Sequence, residues 1–414
     1  MAIHESAARG FSAGADAYER GRPEYAPEAI ATLVRELGIG PGRRVLDLAA
    51  GTGKLTRAFV HTGAELVAVE PVAEMRAKLI AAVPGVEALD GTAERIPQPN
   101  HSVDAVVVGQ AFHWFDGVRA VSEIRRVLRP GGALGLIWQS RNPTQPWIER
   151  LNEIIDRLSG ENPRFRSGAW RQAFEQVALF EPFANASFEH VHRLTPENVV
   201  DRVASISYIA AAAEGDRQAV LEAVRKLLAT DPDTAGAEVI ELPYRADVYW
   251  TRPREVPVPG AIGFIVSVNT SPGGVPKLPI AGTIVRRGGL EGDAHTDRKH
   301  HGGPLQDVCL YPFEAIERLA ADGNQAFPGA YGDNLTVIGI DWAGLRAGDR
   351  LRMGSDGPLL ELTGFAAPCS QQARWFLEGR IGRISGTAFP QDARWYARTI
   401  EEGPVAPGDA VTLL

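Results

Sequence analysis

One segment constrains this chain more than any other: Val45-Leu-Asp-Leu-Ala-Ala-Gly-Thr-Gly53, followed by Leu66-Val-Ala-Val-Glu70-Pro71. An apolar run, a glycine turn, a helix-forming stretch and a second apolar run ending in a carboxylate make the pattern of a parallel βαβ unit. Strands of such a unit are covered on both faces, so they read as continuous apolar runs. Glu70 follows Asp47 by 23 residues, close to the spacing at which a Rossmann-type unit brings an acid to a ribose. The turn lacks the G-x-G-x-x-G that wraps a pyrophosphate. A tight turn with no phosphate cradle suits a nucleoside without phosphates, and S-adenosylmethionine (SAM) is the expected ligand.

The alternation continues on both sides of this unit. Helices are expected over 27–37, 54–61, 72–82 and 118–128, and strands over 44–48, 66–70, 103–108 and 133–138. That order argues for a Rossmann-like α/β domain, a mostly parallel sheet with helices on both faces. Further on, Thr195 reads as a helix cap with Pro196 at the first helical position, and 183–192 and 244–249 alternate as late strands. The texture changes at Arg252. Three prolines between Arg252 and Gly260 make a stiff linker, placed at 253–260. Beyond it, short apolar runs at 262–268, 283–286, 307–311, 335–337, 350–353, 359–363 and 410–413 are separated by glycine turns, with helices only near 312–321 and 370–377. This is a mostly-β barrel domain. The expected division is 1–252, linker 253–260, and 261–414.

Length and composition agree with that division. A chain of 414 residues exceeds one ordinary core. Apolar content of 44% and charged content of 23% are those of a soluble globular protein. A net charge of −8 with no basic stripe argues against a nucleic-acid partner. No apolar run reaches membrane-spanning length, and the start of the chain has no apolar signal region. Two cysteines, Cys309 and Cys369, cannot build a disulfide framework and suit a reducing cytoplasm.

Methyl transfer from SAM needs little beyond in-line positioning, sometimes with a base. Glu70 can accept both ribose hydroxyls, Gly51 and Gly53 let backbone approach the methionine part, and Asp47 can order the turn or meet the ammonium. Gly91-Thr92-Ala93-Glu94 falls where an adenine edge would lie. His113 and Trp114 follow a strand end, where ligands bind in open α/β sheets; His113 is the candidate base, or a packed ring. Tyr18, Arg22 and Tyr25 form a lid over the cofactor or anchor the N-terminal arm. Trp147, Trp170, Phe174 and Tyr208, within the segment 140–240, point to an apolar acceptor pocket.

Residues 10 to about 250 resemble the class I SAM-dependent methyltransferases, in particular the small-molecule branch that includes trans-aconitate methyltransferase-like proteins. The resemblance rests on Tyr18-Glu-Arg-Gly-Arg-Pro-Glu-Tyr25, the Asp47 turn, Glu70, Gly91-Thr-Ala-Glu94, Gln110-Ala-Phe-His-Trp-Phe115 and Arg126-Val-Leu-Arg-Pro-Gly-Gly132. It implies cofactor contacts from Asp47, Ala49, Gly51, Gly53, Glu70, Pro71, Ala93, Glu94 and Gln110, with Tyr18 and Arg22 over them. Ala49 stands where the family usually has glycine, and a negative φ would accommodate it.

In the C-terminal part, Gly292-Asp-Ala-His-Thr-Asp-Arg-Lys-His-His-Gly-Gly303 gathers His295, His300 and His301 into one loop. Ala366-Ala-Pro-Cys-Ser-Gln371 sets Cys369 between an apolar strand and a helix. That helix's N-terminus, with Arg298, Lys299 and the histidines, can favour a thiolate, the form that carries sulfur or binds a soft metal. Zinc is disfavoured, because no C-x-x-C is present and adjacent His300 and His301 diverge. Cys309, inside an apolar run, reads as a small buried filler. From about Gly260 onward the chain resembles the molybdenum cofactor sulfurase C-terminal (MOSC) domain, through His300-His-Gly-Gly-Pro304, 306–311, Gly332-Asp-Asn-Leu-Thr336, Gly348-Asp349, Pro368-Cys369 and Trp395-Tyr396. The resemblance implies a site of His295, His300, His301, Gly302, Asn334 and Cys369. Cys369 would carry sulfur or ligate molybdenum in a pterin cofactor. The stretch 382–394 departs from the short glycine-bearing loop of close relatives, being longer or altered in sequence.

The expectation is a bifunctional enzyme: methyl transfer from SAM to a small molecule, coupled to sulfur transfer through Cys369 as a persulfide. The acceptor would then be a newly introduced thiol, and the sulfur donor a protein such as a cysteine desulfurase. The alternative is an O-methyltransferase joined to an independent molybdenum-cofactor reductase or a sulfur or cofactor carrier.

Overall fold

The structure, a computed structural model, describes residues 22–160, 162–256, 260–294 and 303–414. Tyr18, His295, His300, His301 and Gly302 lie outside the described residues. The chain divides into two compact units. The first takes Met1–Phe115, Val127–Trp170 and Pro182–Arg252; the second takes Asp116–Arg126, Arg171–Glu181 and Pro253–Leu414. Among the described residues no helix is long and apolar enough to cross a membrane.

In the first unit, strands β1 (Arg44–Leu48), β2 (Glu65–Val69), β3 (Glu87–Leu89), β4 (Val103–Gly109), β5 (Leu128–Arg141), β6 (Ala184–Leu194) and β7 (Ile240–Thr251) form one sheet in the order β3-β2-β1-β4-β5-β7-β6. β1 to β5 run parallel, and β7 is antiparallel to both its neighbours. The strand order reverses between β1 and β4, so a ligand crevice opens at their C-terminal ends. Helix Pro27–Leu37 covers one face. Its Ala29, Ile30 and Leu33 pack with Val45, Val107, Ile137 and Val248. A second core gathers the helices Pro146–Asp156, Pro196–Ala204 and Glu214–Thr230 with Leu242 and Tyr244 of β7. Thr195 caps its helix as expected, its hydroxyl accepting the Asn198 N–H at 3.2 Å.

In the second unit the strands are β8 (Ile262–Thr270), β9 (Leu278–Ile280), β10 (Thr283–Arg286), β11 (Gly289–Leu290), β12 (Val308–Pro312), β13 (Leu335–Ile338), β14 (Arg350–Met353), β15 (Leu359–Phe365), β16 (Trp395–Glu401), β17 (Gly403–Val405) and β18 (Ala410–Leu413). Seven of them close into a barrel, β13-β12-β16-β15-β14-β18-β8, with β8 pairing back onto β13. Its interior is filled by Ile265, Val268, Leu310, Leu335, Leu351, Leu360, Trp395 and Val411. Closure removes exposed strand edges and fixes register all the way round.

Several boundaries move. The helix expected over 54–61 is α-helical only at Lys54–Phe59, then tightens to 3₁₀ over Val60–Thr62. β5 begins five residues early, taking the Pro130-Gly131-Gly132 turn as an irregularity in its pairing with β4. The helix expected over 370–377 is instead 3₁₀, Ser370–Trp375. β16, unmarked as a strand in the sequence reading, sits between β12 and β15 in the barrel.

The turn after β1 brings a larger correction. Ala49 does not take a negative φ; it stands at φ 59°, in the left-handed region. A Cβ in that region crowds the following carbonyl. Ala49→Gly should therefore stabilise the first unit by about 1 kcal/mol, read as a higher urea midpoint at unchanged slope. A lower midpoint would show that the Ala49 methyl makes contacts outweighing its strain.

Candidate active sites

The turn Ala49–Gly53 is held from below by the end of β2. The Glu70 carboxylate accepts the Gly51 N–H through Oε2 and the Val72 N–H through Oε1, each at 2.9 Å. Glu70 is only 6% exposed. Burial raises its pKa, while the Val72 and Gly51 amides partly offset the shift. Asp47 is 3% exposed and accepts the Thr56 hydroxyl on Oδ2 at 2.6 Å, tying the turn to the helix that follows. Its other oxygen, Oδ1, is buried with no hydrogen-bond partner. Burial, with Glu70's charge adding, pushes the Asp47 pKa up to about 7.

The two glycines of the turn divide the work. Gly53 (φ 83°) packs so close to Leu79 that a Cβ would lie 3.0 Å from Leu79 Cγ, whereas a Cβ on Gly51 (φ 58°) would meet nothing within 4 Å. Gly53 is needed for packing; Gly51 borders open space. At the end of β4, Gln110 also holds a left-handed φ of 61°. Its side chain donates to the Gln139 carbonyl at 3.1 Å. Strained non-glycine backbone persists where surrounding structure fixes it, and such positions cluster at functional sites. Ala93 is buried, while Pro71 and Glu94 are half-buried. Tyr25 lies over the end of β4, where a side chain on Gly109 would strike its hydroxyl. Glu24 of the same arm pairs with Lys54 at 2.8 Å, just past Gly53.

Two carboxylates are buried beside one turn, one of them with an orphaned oxygen, and Arg76, which donates to the Glu70 carbonyl, only partly offsets the burial of Glu70; such a site attracts positive charge. SAM carries a sulfonium and an ammonium, so the residues present fit it.

His113 does not stand as a base. The Trp138 indole N–H, which can only donate, points at His113 Nδ1 at 3.1 Å. Nδ1 is therefore an acceptor, and the ring's proton sits on Nε2. Burial pushes the His113 pKa down to about 4, with Arg22's charge adding. At neutral pH the ring is uncharged, a hydrogen-bond donor and a weak base. Phe165 stacks on Trp138 with ring centroids 4.6 Å apart, Trp170 lies tilted against it at 4.8 Å, and Tyr249 meets it edge-on at 5.9 Å. Of the aromatics expected in an acceptor pocket, Trp147 belongs to the helical core instead.

In the second unit, a solvent-open cleft of about 640 Å³ is bordered by Cys369, Cys309, Asn334, Lys277, Arg394 and Tyr396, among others. Cys369 caps the 3₁₀ segment. Its N–H donates to Gln372 Oε1 at 2.9 Å, and its carbonyl accepts the Gln372 N–H at 3.0 Å. Gln372 in turn donates to the Tyr331 carbonyl at 2.6 Å, which fixes the Cys369 backbone. Asn334 holds the opposite wall, exchanging hydrogen bonds with the Cys309 backbone (2.7 and 3.1 Å) and donating to Asp293 at 2.9 Å. Asp293 also pairs with Lys277.

Arg394 and Lys277 were missed by sequence reasoning. Arg394 is 3% exposed and donates to the carbonyls of Tyr331 and Ala367, each at 2.7 Å. The long stretch before it is folded around buried Asp392, which pairs with Arg318 and Arg383. No spacing signal marks this arginine, because its position depends on how that stretch folds. Cys309 is buried, as a filler would be, yet it also borders the cleft. Burial pushes its thiol up to about 11, with Arg394 pulling the other way. Among the described residues no three His, Cys, Asp or Glu side chains converge on a metal position.

Two family descriptions match separate parts of the chain. The family described as "Methyltransferase domain" matches residues 46–136, and that described as "MOSC domain" matches residues 297–412. An uncharacterized methyltransferase of Mycobacterium tuberculosis is 46% identical over 237 residues, covering 56% of this chain and 91% of the relative. An uncharacterized methyltransferase-like protein of Schizosaccharomyces pombe is 34% identical, covering 55% of this chain and 89% of the relative. Among solved structures, the YcgJ protein of Bacillus subtilis is 19% identical, with a TM-score of 0.38 over 56% of this chain and all of that one. The chain belongs to the methyltransferase family, as a class I SAM-dependent methyltransferase fused to a C-terminal MOSC domain.

Proposed function

We propose that the first unit transfers the methyl group of SAM to the sulfur of a small thiol, and that Cys369 in the second unit supplies that sulfur. A nucleophilic carbon of the acceptor attacks the outer sulfur of a Cys369 persulfide, the S–S bond breaks, Cys369 leaves as its thiolate, and the acceptor keeps the sulfur as a thiol. SAM supplies an activated methyl on a sulfonium, leaving the protein to bind, orient and exclude water. Glu70 would take the ribose hydroxyls on the lone pairs its two backbone donors leave free. Asp47 and Glu70 would balance the cofactor's positive charge, and Gly51 would give its methionine part access to backbone.

The observation that carries the thiol reading is His113. A ring with Nδ1 filled by Trp138 and a pKa of about 4 takes up a proton poorly at neutral pH. An acceptor that ionises by itself, as a thiol does near pH 8.5, needs no base there. Through Nε2–H, His113 would orient the acceptor. Sulfur would reach Cys369 from a donor protein such as a cysteine desulfurase, in a reducing cytoplasm. A second reading is favoured by Lys277 and Arg394 beside Cys369, two cations suited to an anionic cofactor. There Cys369 would ligate a molybdenum pterin, which supplies two-electron redox chemistry, and the methyltransferase would act independently on oxygen.

Three outcomes test these assignments. Glu70→Gln keeps the shape of the side chain but removes its charge, and should weaken SAM binding by about tenfold or more in calorimetry; unchanged affinity would remove Glu70 from the ribose. SAM binding should also depend on pH. The Asp47 pKa of about 7 in the empty site means that a cationic ligand, which favours the ionised form, must displace a proton below that pH. Affinity should therefore rise as pH climbs from about 6 to about 8, with proton release that shows as a buffer-dependent heat, and Asp47→Asn should flatten the profile. Finally, incubation with a desulfurase and cysteine should add one sulfur to the chain by mass spectrometry. Cys369→Ser should abolish that addition and Cys309→Ser should not; retention in Cys369→Ser would overturn the carrier role.

A further inference from the structure

On one face of the first unit's sheet, Arg141 of β5 stands opposite Tyr244 of β7, and Tyr244 opposite His190 of β6. Side chains paired across strands in this way leave the same face. Arg202, from helix Pro196–Ala204, reaches the group by donating its Nε–H to the Tyr244 hydroxyl at 3.1 Å. Arg202 is 6% exposed, and its Nη1 is buried with no hydrogen-bond partner. Both ring nitrogens of His190 and Nδ1 of His192 are also buried and unsatisfied. Gln139, two residues before Arg141 and so on the same face, has a buried Oε1 without a partner.

Charge is equally one-sided. Arg141 donates to a neutral group, Asn152 Oδ1, at 2.8 Å. Neither Arg141 nor Arg202 has a carboxylate partner among the described residues. Three acids act on the neighbouring groups electrostatically. Glu24 pairs with Lys54 and Arg57, Asp156 pairs with Arg164, and Glu28 acts on His190. Tyr244 registers the balance: burial alone would raise its pKa, but Arg202, Arg141 and Arg22 outweigh it and the shift is downward. Guanidinium groups held away from water without a counter-ion are costly, and an arriving oxyanion relieves that cost.

The cluster adjoins the candidate cofactor site. Arg22 acts on both His113 and Tyr244, Lys54 beside the glycine turn acts on His192, and Gln110 donates to the Gln139 backbone. We propose that Arg141 and Arg202 bind a carboxylate or phosphate carried by the methyl acceptor, with Tyr244, His190 and Gln139 completing its hydrogen bonds. The acceptor is then a small anion, methylated at another atom. That this anion belongs to the acceptor rests on the methyl-transfer reading; that an anion binds here does not.

The test uses the full chain. Succinate and inorganic phosphate are titrated separately by calorimetry, with and without SAM. At least one should bind, and the tighter of the two identifies the group. Arg202→Gln and the half-buried Arg141→Gln should each weaken that anion by about tenfold while SAM affinity holds, and Arg202→Lys should recover part of the loss. Binding of neither anion, or equal binding to parent and both variants, overturns the proposal. Arg141→Gln still decides if Arg202→Gln does not fold. In turnover, mercaptopropionate should exceed mercaptoethanol in kcat/KM, and the advantage should vanish in the arginine variants. Failure of SAM itself to bind would sink the methyl-transfer reading while leaving the SAM-free anion titration standing.

Discussion

Two backbone amides pointing at one carboxylate hold the first site together. Glu70 accepts the N–H groups of Gly51 and Val72, so the turn after β1 and the turn after β2 are fixed to one anion. A carboxylate at 6% exposure is expensive unless its oxygens are satisfied. Here each oxygen has one donor and spare acceptor capacity. Asp47 completes the arrangement with one oxygen bonded and one orphaned. The site therefore holds two acids whose pKa values burial pushes up, and a positively charged ligand offsets that shift by favouring their ionised forms. Strain at Ala49 and Gln110, on either side of this crevice, is sustained by the same packing.

How far this was legible depends on which force shaped each element. β1 and its turn were read with their boundaries because a fully buried parallel strand has a continuous apolar sequence and glycine marks the bend. Glu70 was legible because the βαβ unit has a near-constant length. β3, three residues long with Glu87 exposed and Ala88 and Leu89 half-buried, carries too little apolar sequence to register. β16 went unmarked because its two partners, β12 and β15, come from distant parts of the chain, and only pairing with both of them makes Trp395–Glu401 a strand. The left-handed φ of Ala49 left its trace only in the resemblance, which has glycine at that position; alanine itself gives no local signal that surrounding contacts hold it there. Arg141, Arg202 and Tyr244 come from three separate segments. Only the register of β5 against β7, and the packing of a helix over them, brings them together.

The cleft of the second unit shows the same limit from another side. Cys369 was found because it follows an apolar strand, but its supports come from elsewhere. Gln372 fixes its backbone, Arg394 follows a stretch folded around buried Asp392, and Cys309 enters from β12. The two thiols of one cleft are not equivalent. Cys309 is sealed and its thiol is pushed up to about 11 by burial, so at neutral pH it stays protonated. Cys369, at the mouth of a short turn and only partly covered, is the one with access to a reactant.

The neutral histidine and the uncompensated arginines together determine what kind of catalysis the first unit can perform. A base near pH 7 would let the site choose acceptors by pulling a proton from a hydroxyl or amine. His113 cannot do this while Trp138 fills Nδ1 and burial disfavours its charged form. Selection must then act through binding: the acceptor's own charge is what the site can recognise, and its reacting atom must already be nucleophilic. Guanidinium groups pay for their burial only when an oxyanion reaches them, so an uncharged acceptor would leave that cost standing. An anionic acceptor removes it and is oriented in the same event, which converts binding energy into alignment for in-line attack.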